Sequence, residues 1–281
     1  MYPLIFKPIM KEMIWGNESW QITCRPQEMS IVENGEFAGR ELASFYNASS
    51  RFPLLVKIIT ARDALSVQVH PTDAYAQAKG GSCHSLDTGK SELWYILEPP
   101  TDGHLIIGLK PGVTREILAG AYEENTVEDC LARMKVSRGD IVNIPAGLIH
   151  ALTPGTVVAE IQQNSDITYR LYDFGRLGAD GKPRELHVDD ALNAIDYDNA
   201  RGKKIEHFTT EKIKISSPVN AESNPKSFSI YTCVEGGVIF EGEGFATPLP
   251  YPRSAFVTAT LGAFTIRPTN KSATLIKSEP N

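Results

Sequence analysis

The chain has 281 residues, enough for one large domain or two modest ones, and its hydrophobic fraction of 42% and charged fraction of 22% are ordinary for a globular protein. A net charge of −6 without a basic stripe argues against a nucleic-acid partner, and no stretch approaches the ~18 apolar residues of a membrane-spanning helix. A phosphorylated small molecule is compatible with this composition, because it needs only a few local cations.

Short strands are predicted along the N-terminal part of the chain, where β-branched and aromatic residues are interrupted by Gly, Pro, Asn and Asp. The predicted strands cover residues 53–60, 66–70, 92–98, 104–109, 140–145, 157–163 and 168–174. Strands with this spacing favour an antiparallel sandwich or barrel.

Three regions are predicted to be helical. Residues 72–79 begin at a Thr72 or Asp73 cap, and residues 114–134 hold two short amphipathic segments, TREILAG and TVEDCLARM, that follow threonine caps. Residues 187–196 form the third region. The expected fold is therefore mainly β with a few short helices.

A polar stretch after residue 196 precedes a second β-rich run, and we predict a domain boundary near residue 200. The first predicted domain, residues 1–200, carries a small helical insertion near 112–136, and the second covers residues 201–281. The only histidine beyond the boundary is His207, in the lead-in to the second domain, so histidine chemistry is expected in the first domain. Both domains are predicted to be versions of one β-sandwich.

The cysteines and the N-terminal residues predict a reducing compartment. Cys24, Cys83, Cys130 and Cys233 include no Cys-x-x-Cys pair, and the first residues lack the apolar core and cleavage site of a secretory signal peptide. We expect free thiols and a cytoplasmic location.

The first chemical motif lies in the predicted strand SVQVH. Gln68 and His70 are separated by one residue, so their side chains point to the same face of the strand, together with that of Ser66. Gln68 and His70 can therefore reach one point in space. The alternative is an ordinary strand with a polar outer face.

The second motif, GKSELWYIL, places Lys90 and Glu92 with the same spacing at the start of an apolar strand. The alternative interpretation is a charged pair on a solvated face.

The third motif is GDIVNIPAGLIHAL, which contains the pattern G-x5-P-x-G-x2-H that is typical of the second cupin motif. Pro145 and Gly147 suit a rigid bend after the strand, so His150 does not have to follow the alternation of that strand. The bend is expected to direct His150 into a pocket.

These motifs together supply two imidazoles, a carboxylate and an amide oxygen, from His70, His150, Glu92 and Gln68. Such donors suit a divalent transition metal, zinc in particular. Because no cysteine takes part, we expect an open site that can admit water or substrate rather than a closed structural zinc site.

At this point the chain resembles a known family, the type I mannose-6-phosphate isomerases in their short bacterial form. The resemblance covers nearly all of the first 200 residues and only loosely the rest. It rests on seven motifs in the family's order: IWG (14–16), ESW (18–20), FPLLVKII (52–59), LSVQVHP (65–71), GKSELWYIL (89–97), GDIVNIPAGLIHAL (139–152) and EIQQNSDITYRLYDF (160–174).

The resemblance implies two cupin-like jelly-roll β-sandwich domains and one Zn²⁺ per chain. The implied metal ligands are Gln68, His70, Glu92 and His150. The implied catalytic residues are Arg170, Lys90, Glu160 and Asp166. Trp15 is implied at the rim of the pocket, and the first domain would be catalytic while the second carries no metal.

The implied reaction interconverts mannose 6-phosphate and fructose 6-phosphate through a cis-enediol. Arg170 would stabilise the developing charge, and its alternative is a salt bridge to Asp166 or Asp173. The base is left open between Glu160, Asp166 and a metal-bound hydroxide. The alternative for Glu160 is a charge at the solvated end of a strand.

Ser66, Lys57 and Lys90 are the candidates for phosphate binding, and Lys57 lies in the otherwise apolar segment LLVKII. The alternative for Lys57 is an outward-facing lysine on an edge strand. Expected partners are limited to a sugar phosphate, without nucleic acid or membrane, and the chain is expected to be a monomer or a weak homodimer.

Two other functions remain open from the sequence. An iron-dependent cupin oxygenase would have a site richer in histidine, and a non-catalytic sugar-phosphate-binding cupin would bind without turnover. The joint presence of QVH, GK-x-E and the arginine motif favours the isomerase.

Overall fold

A computed structural model describes residues 1–46, 51–79, 88–178, 181–198 and 203–281. The fold is mainly β and cupin-like, as predicted. Among the described residues, no helix has both the length and the apolar character needed to cross a membrane.

The strands up to residue 172 include every strand predicted from the sequence, with ends that differ by a few residues. They are β1 (Leu4–Ile5), β2 (Ile9–Met13), β3 (Gly16–Ile22), β4 (Cys24–Arg25), β5 (Glu28–Met29), β6 (Leu54–Ala61), β7 (Val67–Val69), β8 (Glu92–Glu98), β9 (His104–Leu109), β10 (Leu131–Lys135), β11 (Ile141–Ile144), β12 (His150–Ala151), β13 (Val157–Gln163) and β14 (Tyr169–Tyr172).

The strands of the C-terminal part form the second predicted β-rich run. They are β15 (Phe208–Ile215), β16 (Val219–Glu222), β17 (Ser229–Glu235), β18 (Gly237–Gly242), β19 (Phe245–Pro250), β20 (Ser254–Val257), β21 (Ala263–Pro268) and β22 (Ala273–Pro280).

The described helices are short and lie where helices were predicted: α1 (Asp73–Ala78), α2 (Arg115–Glu123), α3 (Val127–Cys130) and α4 (Val188–Ala194), with 3₁₀ turns at Gly35–Phe37 and Leu42–Ser44. The Thr72 and Thr114 hydroxyls cap α1 and α2 by accepting a backbone N–H three residues on.

The helix predicted over TVEDCLARM is wrong beyond Cys130. Residues Leu131–Lys135 are β10, which pairs antiparallel with β9. From Ala132 to Lys135, partly buried and exposed residues alternate with the two-residue period of a strand, and pairing with β9 overrides the helical preference of the segment.

The described chain divides into two compact units that interleave along the sequence. The first unit contains residues 1–10, 19–58 and 206–281, and the second contains residues 11–18 and 59–205. One unit thus groups N-terminal segments with the C-terminal strands. The division into separate domains over residues 1–200 and 201–281 stays a prediction.

The first unit is built on two antiparallel sheets, with strand orders β1-β20-β17-β22-β15 and β16-β21-β18-β19. The side chains of β17 are buried on both faces up to its last residue, as expected for a central strand. Tyr231, Val238, Phe240, Leu249 and Leu275 belong to the buried cluster of this unit.

The second unit contains the sheet β10-β9-β12-β7-β14 and, in another sheet, the neighbours β11-β8-β13. One buried cluster joins residues of both sheets, among them Trp94 and Ile107. A second cluster joins Val67 and Val69 of β7 to Leu118 of α2 and Leu192 of α4. The valines of β7 therefore face the helices, and Gln68 between them faces the other sheet.

The cysteines in the described residues, Cys24, Cys130 and Cys233, are free thiols, as expected. Cys83 lies outside the described residues.

Gly16 of the IWG motif provides a test of this fold. Its φ is +152°, and a Cβ on it would lie 1.9 Å from the backbone oxygen of Thr60. Gly16→Ala should destabilise the chain by about 2–5 kcal/mol, because it adds steric overlap to backbone strain. Differential scanning calorimetry measures the effect.

Gly112→Ala is the matched control, because Gly112 has a φ of +84° and nothing within 4 Å of its added Cβ. Its expected cost is about 1–2 kcal/mol from strain alone. Equal losses in the two variants would refute the steric explanation.

Candidate metal centre

The centre is built around β7, which has a neighbouring strand on each side. Gln68 is directly opposite His150 of β12 on one side and Arg170 of β14 on the other. Residues directly opposite each other in antiparallel strands share a face, so the three side chains form a row across the sheet. His70 follows two residues after Gln68 and adds to that face.

Glu92 comes from the other sheet, at the start of β8. Its carboxylate and the imidazoles of His70 and His150 offer three ligand atoms that all lie within 4.8 Å of one another. The Nε2 atom of His70 is 3.1 Å from Glu92 Oε1, and the Nε2 atom of His150 is 3.8 Å from Glu92 Oε2. All three side chains are buried. The structure thus joins residues that are up to 80 positions apart in the chain.

Backbone carbonyls hold both imidazoles in the orientation that a metal site needs. His70 donates from Nδ1 to the Ile167 oxygen at 2.8 Å, and His150 donates from Nδ1 to the Leu148 oxygen at 2.8 Å. This tautomer leaves each Nε2 with a lone pair directed at Glu92.

The buried imidazoles are neutral. Burial, followed by the charge of Lys90, lowers the pKa of His70 below its usual value. Burial, followed by the neighbouring His70, lowers the pKa of His150 to about 3. Neutral imidazole is the form that binds a metal ion.

Glu92 keeps its charge in spite of its burial. Burial alone would raise its pKa, but the charge of Lys90 is the main influence that holds the pKa of Glu92 well below its usual range. The Nζ atom of Lys90 lies 2.5 Å from Glu92 Oε1. Lys90 and Glu92 are 4% and 1% exposed, so the alternative of a charged pair on a solvated face is wrong.

The donor set fits a divalent metal ion. Within the described residues, neither His70 Nε2 nor either carboxylate oxygen of Glu92 makes a hydrogen bond of good geometry, although Lys90 is within ion-pair distance. Buried polar atoms are nearly always paired, so such atoms indicate a missing partner. An ion held by the imidazole nitrogens of His70 and His150 and by the Glu92 carboxylate would supply the missing partner for these atoms.

Gln68 adjoins this cluster. Its Nε2 atom lies 3.5 Å from His150 Nε2, and its Oε1 atom accepts a hydrogen bond from the Ser66 hydroxyl at 3.2 Å. A half-turn of the amide would present Oε1 to the cluster and leave the NH₂ group to donate to Ser66. The role of Gln68 as a metal ligand stays a prediction.

Arg170 lies beside Gln68 of the cluster, and its hydrogen-bond partners among the described residues are uncharged groups. Its Nε atom donates to the Ser66 hydroxyl at 3.3 Å, and its Nη1 atom donates to the backbone oxygen of Glu185 at 2.6 Å. Among the described residues it forms no ion pair, and Asp173 is bound by Arg184 and Arg176. The alternative of a salt bridge from Arg170 to Asp166 or Asp173 is therefore wrong.

Comparison with known proteins identifies the family. Residues 7–99 match the model of the phosphomannose isomerase type I catalytic domain. Mannose-6-phosphate isomerase ManA of Bacillus subtilis is 37% identical over 219 aligned residues, which cover 69% of this chain and 68% of ManA. The chain belongs to the mannose-6-phosphate isomerase family. A Streptococcus mutans mannose-6-phosphate isomerase is 33% identical over 223 aligned residues, 69% of this chain and 67% of that protein.

Solved structures agree with this assignment. The crystal structure of the mannose 6-phosphate isomerase from Bacillus subtilis superposes with a TM-score of 0.88 at 30% identity, over 99% of each chain. The chain is therefore an enzyme of this family, and its fold is that of a solved isomerase.

Glu160 is buried, with 3% of its surface exposed, so the alternative of a charge at the solvated end of a strand is wrong. It lies opposite Trp94 and accepts a hydrogen bond from Trp94 Nε1 at 2.9 Å. The Trp94 ring meets the His150 ring edge-on, with centroids 5.3 Å apart. Sequence analysis missed this link, although Trp94 follows Glu92 at the two-residue spacing that places both on one face.

The remaining candidates lie in different surroundings. Asp166 is exposed and precedes Ile167, whose carbonyl holds His70. Trp15 is 4% exposed and packs in a buried cluster of the second unit. The catalytic role of Asp166 and the role of Trp15 at the pocket rim stay predictions.

Lys57 belongs to the first unit, whereas the metal cluster belongs to the second. It is 3% exposed, and its Nζ atom lies 4.8 Å from the centroid of the Trp20 ring. The alternative of an outward-facing lysine is wrong, and its role in phosphate binding stays a prediction.

Replacing Glu92 tests the metal site directly. Glu92→Gln removes the negative charge and should weaken Zn²⁺ binding by about 100-fold or more. Even residues that only hydrogen-bond to a metal ligand typically contribute about 10- to 100-fold to metal affinity. Isothermal titration calorimetry and the metal content after dialysis measure the change.

Glu98→Gln is the control on the same strand, because Glu98 is exposed and pairs with Arg138. The Glu98→Gln variant should bind Zn²⁺ with the same affinity as the unaltered chain. Unchanged binding in Glu92→Gln would mean that the cluster is not the metal site.

Proposed function

We propose that the chain interconverts mannose 6-phosphate and fructose 6-phosphate in a reaction that depends on one Zn²⁺ per chain. The observation that carries the proposal is the buried group of His70, Glu92 and His150, in which His70 Nε2 and both Glu92 carboxylate oxygens make no hydrogen bond of good geometry in the described residues. Its position beside Arg170, which forms no ion pair among the described residues, supports a reaction that develops negative charge in a member of this family.

Gln68, His70, Glu92 and His150 would hold the ion. Nitrogen and oxygen donors in this number suit zinc, and the absence of a thiolate suits a catalytic site with an open position. When bound, the ion supplies a Lewis acid that polarises the carbonyl and hydroxyl oxygens of the sugar.

The reaction removes the proton from C2 of the aldose and delivers a proton to C1, while the hydroxyl proton passes between O2 and O1. Loss of the C2 proton gives an enediolate, which carries negative charge on an oxygen and is the anionic form of the cis-enediol. The fixed charge and planar fork of Arg170 suit that oxygen. Glu160 and Asp166 are the carboxylates proposed for the proton transfer at carbon, and Lys90 keeps Glu92 anionic beside them.

We propose that Ser66 and Lys90 bind the phosphate and that Trp15 limits the pocket, whereas a contribution of Lys57 stays a prediction. Ser66 already contacts Arg170, which supports its place near the substrate. The protein is proposed to act in the cytoplasm as a monomer or weak homodimer, without nucleic-acid or membrane partners.

The first test is a coupled assay of mannose 6-phosphate conversion on zinc-loaded and chelator-treated protein. We expect turnover with zinc, its loss by at least about 100-fold after chelation, and its return when zinc is added back, because the carbonyl is not polarised without the ion.

Two results would contradict the proposal. Tight sugar-phosphate binding without turnover in zinc-loaded protein would indicate a non-catalytic binding protein. Oxygen uptake by an iron-loaded form would indicate an oxygenase.

Arg170→Lys tests the arginine separately from the metal. Lysine keeps the charge but loses the planar fork, so kcat should fall by about 100- to 1,000-fold while zinc binding is unchanged. Arg138→Lys, on the exposed side chain that pairs with Glu98, is the control and should keep full activity. Full activity in Arg170→Lys would refute its catalytic role.

A further inference from the structure

Arg170 lies on β14, the edge strand of its sheet, so one side of its backbone faces away from the other strands. On that side the Arg170 N–H donates to Nδ1 of His187 at 3.2 Å, and the Arg170 carbonyl accepts from the His187 N–H at 2.7 Å. His187 thus satisfies both backbone groups of Arg170 that the sheet leaves open.

Arg170 stands opposite Gln68 in the register of β14 and β7. Because both backbone groups of Arg170 point away from β7, Arg170 and Gln68 form a non-hydrogen-bonded pair. Side chains approach most closely in pairs of that type. His187 therefore holds the backbone from the open side of β14, at the residue whose side chain stands next to Gln68.

The segment before α4 runs antiparallel to β14 and is fixed at two further points. Arg184 forms a two-bond fork with the Asp173 carboxylate, at 2.7 and 2.5 Å. The Glu185 carbonyl accepts from Nη1 of Arg170 at 2.6 Å. Three residues forward along the chain, from Arg170 in β14 to Asp173 just after it, correspond to three residues back along the segment, from His187 to Arg184.

The His187 side chain has no role in capping its own helix. His187 is the N-cap residue of α4, but its ring makes no capping hydrogen bond, and a Ser, Thr, Asp or Asn would suit that position better. Its Nδ1 instead accepts from Arg170, which requires the tautomer with the proton on Nε2. Nε2 lies 4.0 Å from the Glu185 carboxylate.

We propose that His187 is a positioning residue, which holds the backbone of Arg170 so that the guanidinium is presented to the substrate beside the metal cluster. The Glu185 carbonyl holds the guanidinium in the same arrangement. This inference rests on the proposed function for its effect on turnover, but its effect on the geometry of Arg170 does not depend on the reaction.

The test compares two replacements of His187. His187→Leu keeps the bulk and removes the acceptor, so kcat should fall by about 10- to 100-fold with a smaller change in KM and an unchanged affinity for zinc. In His187→Asn the side-chain oxygen stands at the same distance from Cβ as Nδ1, so kcat should recover to within about threefold of the unaltered chain.

His104→Leu is the control, because His104 also bonds to a backbone group through Nδ1, at the Asp102 oxygen, but lies outside the site. It should keep full activity. Equal losses of kcat in the Leu and Asn variants of His187, accompanied by a lower melting temperature, would show a structural role and overturn the proposal. Full activity in His187→Leu would overturn it as well.

Crystal structures of the two His187 variants supply a readout that does not depend on turnover. We expect Arg170 to be displaced from Ser66 and Glu185 in His187→Leu and to keep both contacts in His187→Asn. If the unaltered zinc-loaded chain lacks isomerase activity, the proposed function fails while this structural comparison still decides the role of His187. An unmoved Arg170 in His187→Leu refutes the positioning role.

Discussion

A buried carboxylate that keeps its charge is the constraint on which the site depends. Glu92 is 1% exposed, and removing a carboxylate from water is costly unless cations or donors replace the water. Lys90 supplies one cation at ion-pair distance from Glu92. The two histidines remain neutral, because burial lowers the pKa of each imidazole. A divalent ion would complete this balance, so the chemistry of the site follows from how Glu92 is buried.

The two-residue period of β-strands brings the parts of the site together. On β7 the valines face the helices, and Gln68 between them faces the other sheet. Pairing then adds His150 from one side and Arg170 from the other, both on that inner face. A shift of one residue in either pairing would place its side chain among the helices. The register of three strands is therefore as important to the site as the identity of its ligands.

At the edge of that sheet, Arg170 of β14 has to be positioned by residues that do not belong to the sheet. In the part of the chain that the structure describes, no strand lies beyond β14, and the segment of Arg184, Glu185 and His187 takes the place of one. Arg170 is left with neutral partners, the Ser66 hydroxyl and a carbonyl, whereas Asp173 is shared by Arg184 and Arg176. The geometry holds the arginine without neutralising it, which leaves its charge for a substrate anion.

The sequence by itself determined most of the strands and helices, the face shared by Gln68 and His70, and the motif that delivers His150, because these depend on local periodicity and turn chemistry. It also predicted the ligand set, through spacing and resemblance. Only the tertiary structure decided that α3 ends at Cys130, that Lys57 and Glu160 are buried, and that N-terminal segments group with the C-terminal strands. It alone joined His187 to Arg170 and Trp94 to Glu160. Burial and contacts between distant segments arise from how the sheets pack and pair, and no local pattern in the chain records them.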